Sequence, residues 1–172
     1  YYFYTSYGGE TTGNDGGYVF AHCENLKEIN IPESVQWIQN YAFLNCKSLT
    51  EITLNANDKQ VGEGAFANCS SLKKVTLGAN IKTLPSRLFI NCTSLESIVG
   101  ANSTNQTEGE PIADLSQIVG FGYIYASSGK KQFKVGSYTF QNCTSIKEVI
   151  LSSADTSIVL GDYLFDGCTN LA

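Results

Sequence analysis

Six phenylalanines, Phe20, Phe43, Phe66, Phe89, Phe140 and Phe165, are each followed three residues later by a cysteine: Cys23, Cys46, Cys69, Cys92, Cys143 and Cys168. Successive cysteines are separated by 23, 23, 23, 51 and 25 residues. Three residues beyond each cysteine stands Leu26, Leu49, Leu72, Leu95, Ile146 or Leu171. Five residues before each phenylalanine after the first stands Ile38, Val61, Leu84, Val135 or Leu160. Columns that match at one fixed period mark a repeat array, and this constrains the fold before any element is assigned. A unit of 23 residues buries too little apolar surface to fold alone, so its copies must stack as a solenoid.

Within a copy, Leu26-Lys27-Glu28-Ile29-Asn30-Ile31 and Leu72-Lys73-Lys74-Val75-Thr76-Leu77 end in period-two alternation, the pattern of a short strand with one buried face. The segment around each phenylalanine is too short for a stable helix, so a single helical or 3₁₀ turn is expected there. Gly62, Gly136 and Gly161 stand four residues before a phenylalanine and are expected to mark the bend into that turn.

Gln39-Asn40-Tyr41-Ala42-Phe43-Leu44-Asn45-Cys46-Lys47-Ser48-Leu49 and Gly62-Glu63-Gly64-Ala65-Phe66-Ala67-Asn68-Cys69-Ser70-Ser71-Leu72 resemble the BspA-type leucine-rich repeat, whose units of 23 residues contain I-G-x-x-A-F-x-x-C-x-x-L. Ile31-Pro32 reproduces the I-P that often follows the strand in that family. The resemblance covers roughly residues 17–99 and 132–172. Gln39 and Pro85 depart from it at the glycine, and Leu88, Thr139 and Leu164 at the alanine before phenylalanine. It implies an α/β repeat solenoid dominated by β-structure: a right-handed leucine-rich-repeat superhelix with a parallel sheet, short helical or 3₁₀ turns and one irregular coil. The setting it implies is a surface or secreted protein of a host-associated microbe, with adhesion to extracellular host proteins among the known roles.

One domain is expected over 1–172: a degenerate first coil or cap at 1–16, regular repeats at 17–99, an irregular coil at 100–135, and regular repeats at 136–172. Tyr1-Tyr2-Phe3-Tyr4-Thr5-Ser6-Tyr7 is the aromatic part of the first section. In the irregular coil, Leu95-Glu96-Ser97-Ile98-Val99-Gly100 recurs as Leu115-Ser116-Gln117-Ile118-Val119-Gly120 and reads as an extra strand whose turn has lost its Phe and Cys. The family register puts Gly109 and Ile112 in those two columns, and polar Ala101 to Asp114 reads as a surface loop. The alternation from Gly122 to Val135 around Ser128-Gly129 reads as a hairpin. The chain stops in mid-repeat at Leu171-Ala172, so the natural protein is expected to continue or to pair at that end.

The composition fits a folded chain, with 42% hydrophobic and 16% charged residues. A net charge of -5 disfavours nucleic acid and anionic membranes as partners. No run approaches the roughly 18 apolar residues of a membrane span. No signal peptide is visible, so an export sequence would have been removed or left out. A single histidine, His22, leaves almost no material for a zinc site or a catalytic dyad, and the cysteines lack zinc-ligand spacing. Identically placed inward cysteines read as buried free thiols, although stacked strands would also permit bridges. His22-Cys23 is a poor catalytic pair, since adjacent residues need not face each other.

Asn68-Cys69-Ser70, Asn91-Cys92-Thr93 and Asn142-Cys143-Thr144 match the glycosylation sequon but arise from the repeat consensus, whereas Asn102 and Asn105 lie in the expected loop. Glu108, Glu110 and Asp114 lack the dense spacing of a calcium loop and read as solvated. Tyr18, Tyr41, Tyr138 and Tyr163, each two residues before a phenylalanine, read as packing at the coil edge. Trp37 is expected to point outward, as a binding anchor or packed on a neighbouring coil.

No nucleophile–base pair, phosphate loop, metal motif or cofactor motif is present, so the expected function is non-enzymatic binding, with an extracellular protein as ligand and a glycan as the alternative. A structural spacer in a larger surface protein is the competing reading. The outward strand columns are Glu28, Glu51, Lys74, Ser97, Gln117, Glu148 and Asn30, Thr53, Thr76, Val99, Val119, Ile150. The second turns apolar at the irregular coil, which needs covering by the chain or a partner unless strand propensity alone explains it. The expected ligand site is therefore Ser97, Val99, Gln117, Val119, Glu148 and Ile150, with Tyr123 and Tyr125 from a hairpin over 121–135 folded beside the stripe.

Overall fold

The computed structural model describes residues 17–32, 34–54, 60–78, 81, 83–100, 112–114, 131–150 and 156–172. Ten short strands lie along these: β1 (Trp37–Ile38), β2 (Glu51–Leu54), β3 (Gln60–Val61), β4 (Lys74–Leu77), β5 (Thr83–Leu84), β6 (Ser97–Gly100), β7 (Ile112–Asp114), β8 (Lys131–Val135), β9 (Glu148–Ile150) and β10 (Thr156–Leu160). A five-stranded sheet runs β2-β4-β6-β7-β9, and a second flank of the stack carries β1-β3 and β5-β8-β10. Every pairing is parallel. Each regular coil thus has three sides: a strand of the long sheet, a short strand, and the turn around its phenylalanine. Ile52, Leu54, Val75, Leu77 and Ile98 point inward from the long sheet, and Ile38 and Leu84 from the second flank.

The phenylalanines form a continuous column through the core. Successive rings from Phe20 to Phe165 stack with centroids 5.1 to 5.9 Å apart, and Phe66, Phe89 and Phe140 are wholly buried. The polypeptide around them is hydrogen-bonded turn, with no helical residue among those described. The expected helical or 3₁₀ turns are not confirmed: single i→i−3 bonds, as from Ala42 to Gln39 and Leu44 to Tyr41, alternate with bonds to the next coil. The N–H groups of Tyr41, Phe43 and Asn45 donate to Glu63, Ala65 and Ala67 of the next coil, and those of Gly64, Phe66 and Asn68 to Ser86, Leu88 and Ile90. The pattern continues from Arg87, Phe89 and Asn91 to Ser137, Thr139 and Gln141, and from Tyr138, Phe140 and Asn142 to Asp162, Leu164 and Asp166. A helix would need those same N–H groups within its own ladder. Apart from Tyr18, the residues two before and two after phenylalanine take positive φ, as at Tyr41 (56°) and Asn45 (60°), which also interrupts a right-handed helix.

Close approach of adjacent coils explains the glycines better than a bend does. A Cβ on Gly136 would lie 2.3 Å from the backbone nitrogen of Ser86 and 2.7 Å from the carbonyl carbon of Pro85. Gly62 and Gly161 stand in equally tight positions against Asn40 and Ser137, and none of these three has positive φ.

The cysteines form a second column. Cys46, Cys69, Cys92, Cys143 and Cys168 are buried, Cys23 is exposed, and all six are free thiols. Each buried Sγ donates to the carbonyl of a phenylalanine one coil earlier: Cys46 to Phe20 at 3.1 Å, Cys69 to Phe43 at 3.2 Å, Cys92 to Phe66 at 3.1 Å, Cys143 to Phe89 at 3.2 Å and Cys168 to Phe140 at 3.1 Å. Burial pushes the Cys46 thiol up to about 11 and Cys69 up to about 12, and it raises Cys92, Cys143 and Cys168 as well. These thiols are structural donors that do not ionise in the folded state at neutral pH.

The irregular region enters the stack on one side only. β7 lies between β6 and β9, with Ala113 opposite Ile98 and Val149. On the turn side Phe89 stacks directly on Phe140 at 5.9 Å, and on the second flank β5 pairs directly with β8. Thr139, the buried threonine in the alanine column, satisfies its hydroxyl by sharing its one proton between the carbonyls of Gly136 at 2.7 Å and Pro85 at 2.9 Å.

Two outcomes follow from this packing. Gly136→Ala should lower stability by about 1–3 kcal/mol, read as a lower urea midpoint, because the atoms it meets are backbone and cannot rotate away. The thiol column makes the fold sensitive to alkali. Above about pH 8.5 the unfolded chain loses thiol protons that the folded chain retains, so stability is fully present below that pH and declines as pH rises toward the folded values. Each buried cysteine should contribute a slope of up to about 1.4 kcal/mol per pH unit, and Cys69→Ala should flatten the profile while costing about 1–3 kcal/mol at pH 7. A stability profile flat from about pH 8 to 10 would contradict this assignment.

Candidate functional site

The long sheet presents its outward positions in two rows. Glu51 is aligned with Lys74 and Lys74 with Ser97, while Thr53 is aligned with Thr76 and Thr76 with Val99. Glu51, Thr53 and Glu148 are exposed, and Lys74, Thr76 and Ser97 are half-buried. Beyond β6 the rows continue through β7, where Ile112 is aligned with Glu148 and Asp114 with Ile150.

This register corrects the expected site. Between β6 and β9 stands Ile112–Asp114, in place of the anticipated Leu115–Gly120, and the last three residues of the expected loop 101–114 are central sheet. The strand next to β6 and β9 is therefore Ile112–Asp114, with Ile112 aligned with Glu148 and Asp114 with Ile150, and Gln117 and Val119 of the anticipated strand fall outside the described residues. The physical reason is that strand pairing is set by backbone register, and three consecutive residues suffice to satisfy it here. Lys131–Val135, the expected second arm of a hairpin, pairs in parallel with β10 and β5 on the second flank, away from the long sheet. Ser97, Val99, Glu148 and Ile150 remain on the long sheet, whereas Gln117, Val119, Tyr123 and Tyr125 lie outside the described residues, as do Asn102, Asn105, Glu108 and Glu110.

The turn edge is the other ordered surface. Two residues before each phenylalanine run Tyr18, Tyr41, Gly64, Arg87, Tyr138 and Tyr163. Tyr18 stacks on Tyr41 with centroids 5.5 Å apart, and Tyr138 on Tyr163 at 5.2 Å. The Arg87 guanidinium lies 5.4 Å from the centre of the Tyr138 ring and forms an ion pair with Glu63. Tyr41 leans over Gly64, where an added Cβ would meet its ring at 2.4 Å. Desolvation and the neighbouring Glu63 carboxylate raise the Tyr41 hydroxyl above its usual pKa. Tyr18 is 53% and Tyr163 64% exposed.

Two residues after phenylalanine run His22, Asn45, Asn68, Asn91, Asn142 and Gly167, all with positive φ. The Asn91 amide nitrogen donates to the Asn68 side-chain oxygen and that of Asn142 to Asn91, both at 2.7 Å, while Asn45 Nδ2 and His22 Nδ1 are 3.1 Å apart. The amide nitrogens of Asn91 and Asn142, both in sequons, are thereby held inside a ladder. The sequence signal for this ladder was the asparagine itself, which tolerates left-handed backbone better than other non-glycine residues.

An apolar cleft beside Trp37 is lined by Val19, Phe20, Ile29, Val35 and Phe43, with Asn30 and Gln39 as its polar side chains. Val35 and Ile38 are buried and Trp37 is 42% exposed. No titratable group lines this cleft. Among the described residues no group of three or more His, Cys, Asp or Glu side chains is gathered as a metal site, and no helix is long and apolar enough to cross a membrane.

Comparison with known proteins agrees with this geometry. The pattern of the BspA type leucine rich repeat region matches six copies over residues 16–119 and 126–172. A solved leucine-rich repeat protein from Bacteroides ovatus is similar, with 26% identity, a TM-score of 0.55, and coverage of 85% of this chain and 36% of that one. The chain thus spans little more than a third of that protein's length. No curated protein matches it. With its phenylalanine, cysteine and leucine columns stacked coil on coil, the chain belongs to the BspA-type leucine-rich repeat family.

Proposed function

We propose that this repeat module is a non-enzymatic protein-binding unit of a cell-surface or secreted protein. The observation that carries this reading is the contrast between the two faces of the long sheet. Inward positions repeat as Ile52, Leu54, Val75, Leu77 and Ile98, all buried. Outward positions change from strand to strand: Glu51 and Thr53, then Lys74 and Thr76, then Ser97, then Glu148. Such positions are free to vary without disturbing the core, so a rigid frame can present a particular arrangement of charge and shape. Membership of the BspA-type family supports the surface setting, and Ser97, Val99, Glu148 and Ile150 are the part of the sheet assigned to the ligand.

The test is a panel of immobilised extracellular matrix proteins beside a glycan array, probed with the wild-type chain and with Glu51→Arg/Lys74→Glu/Glu148→Arg. The triple variant should melt within about 4 °C of wild type, since exposed charges contribute little to stability. Its affinity for the matrix protein that wild type binds should fall at least tenfold, about 1.4 kcal/mol. Binding to glycans alone, or to nothing on either panel, would defeat the proposal.

A further inference from the structure

Tyr41, Arg87, Tyr138 and Tyr163 have φ of 56°, 58°, 60° and 54°, in a column whose remaining left-handed member is Gly64 at 59°. Left-handed backbone favours glycine and asparagine and is unusual for bulky residues. Apart from His22, the parallel column on the far side of the phenylalanines uses the residues that such backbone prefers, Asn45, Asn68, Asn91, Asn142 and Gly167. One column therefore follows the demand of the backbone, while the other keeps large side chains against it. Strained positions that persist in this way point to a use for the side chain.

We infer that the turn-edge column of Tyr18, Tyr41, Arg87, Tyr138 and Tyr163 is a docking stripe for a protein partner, separate from the long sheet. Tyrosine and arginine are the residue types that anchor protein interfaces. Stacking at 5.5 Å and 5.2 Å and the Arg87 contact at 5.4 Å hold these side chains in place beforehand, so docking orders little more of them. The same stacking chooses the class of partner. The ring faces between Tyr18 and Tyr41, and between Tyr138, Tyr163 and Arg87, are already covered, so a sugar that must lie flat on an aromatic face finds them occupied. At Tyr41, which also lies over Gly64, and at Tyr138, between Tyr163 and Arg87, both faces are covered, and what remains is ring edges, hydroxyls and the guanidinium, which fit the carbonyl and carboxylate oxygens of a protein surface. This inference goes beyond the sheet-face proposal and stands or falls without it.

The experiment uses Arg87→Asn/Tyr138→Asn/Tyr163→Asn, which gives the backbone the residue it favours. The triple variant should melt within about 3 °C of wild type or higher. A drop of more than about 5 °C would mean that the column serves packing alone and would overturn the inference. Wild-type chain is then used to select binders from a displayed library of random peptides, and the same preparation is applied to an oligosaccharide array. Selected peptides should lose at least tenfold affinity for the triple asparagine variant and keep it for Glu51→Arg/Lys74→Glu/Glu148→Arg. Peptides that bind the asparagine variant as tightly as wild type, or an oligosaccharide that loses binding to that variant, would overturn it too.

Discussion

Each coil gives the alternate N–H groups of its phenylalanine turn to the carbonyls of the coil that follows. Phe43 to Ala65, Phe66 to Leu88, Phe89 to Thr139 and Phe140 to Leu164 are the central bonds of this ladder, at 2.8 to 3.1 Å. Much of the structure depends on it. Buried backbone donors must be paired, and here every second one pairs between coils, which keeps the i→i−3 bonds of the turn from running on into a helix. It sets the left-handed residues on either side of every phenylalanine after Phe20, and it brings adjacent backbones so close that Gly136 has no room for a Cβ. The thiols complete the pattern in the opposite sense, since each cysteine donates back to the preceding coil.

The same bonding explains which residues were legible in sequence. The phenylalanine, cysteine and leucine columns are inward and nearly invariant, so their period was plain and their burial followed. Asn45, Asn68, Asn91 and Asn142 were equally periodic, but their meaning lies in a backbone angle, and the sequence displayed the last three as sequons. The helical turn was expected from segment length, a local criterion, whereas Phe66 and Asn68 bond to residues one coil away. β7 was misplaced because Leu115–Gly120 copies the wording of Leu95–Gly100, while pairing is decided by the register of Ala113 against Ile98 and Val149. The tyrosines were located correctly at the coil edge. That four bulky residues of this column hold positive φ could not be read without the fold.

Two surfaces with different physical character result. On the long sheet, charge alternates from Glu51 to Lys74 and side chains stand on strands whose inward neighbours are locked. Contacts there are adjustable and sensitive to salt. The turn edge offers rings and a guanidinium already ordered against one another, with Glu63 neutralising Arg87. Contacts of that kind change little in shape on association.

The one-sided entry of β7 also alters the course of the stack. From β6 to β9 the long sheet covers two strand spacings, about 9.6 Å, whereas the matching rings of Phe89 and Phe140 are 5.9 Å apart. An extra course laid on one side of a wall makes the wall lean away from it. The axis must turn toward the phenylalanine edge at this point, so the long sheet bulges outward around Ala113. A partner spanning β4 to β9 therefore meets a crest and needs a saddle-shaped surface to follow it.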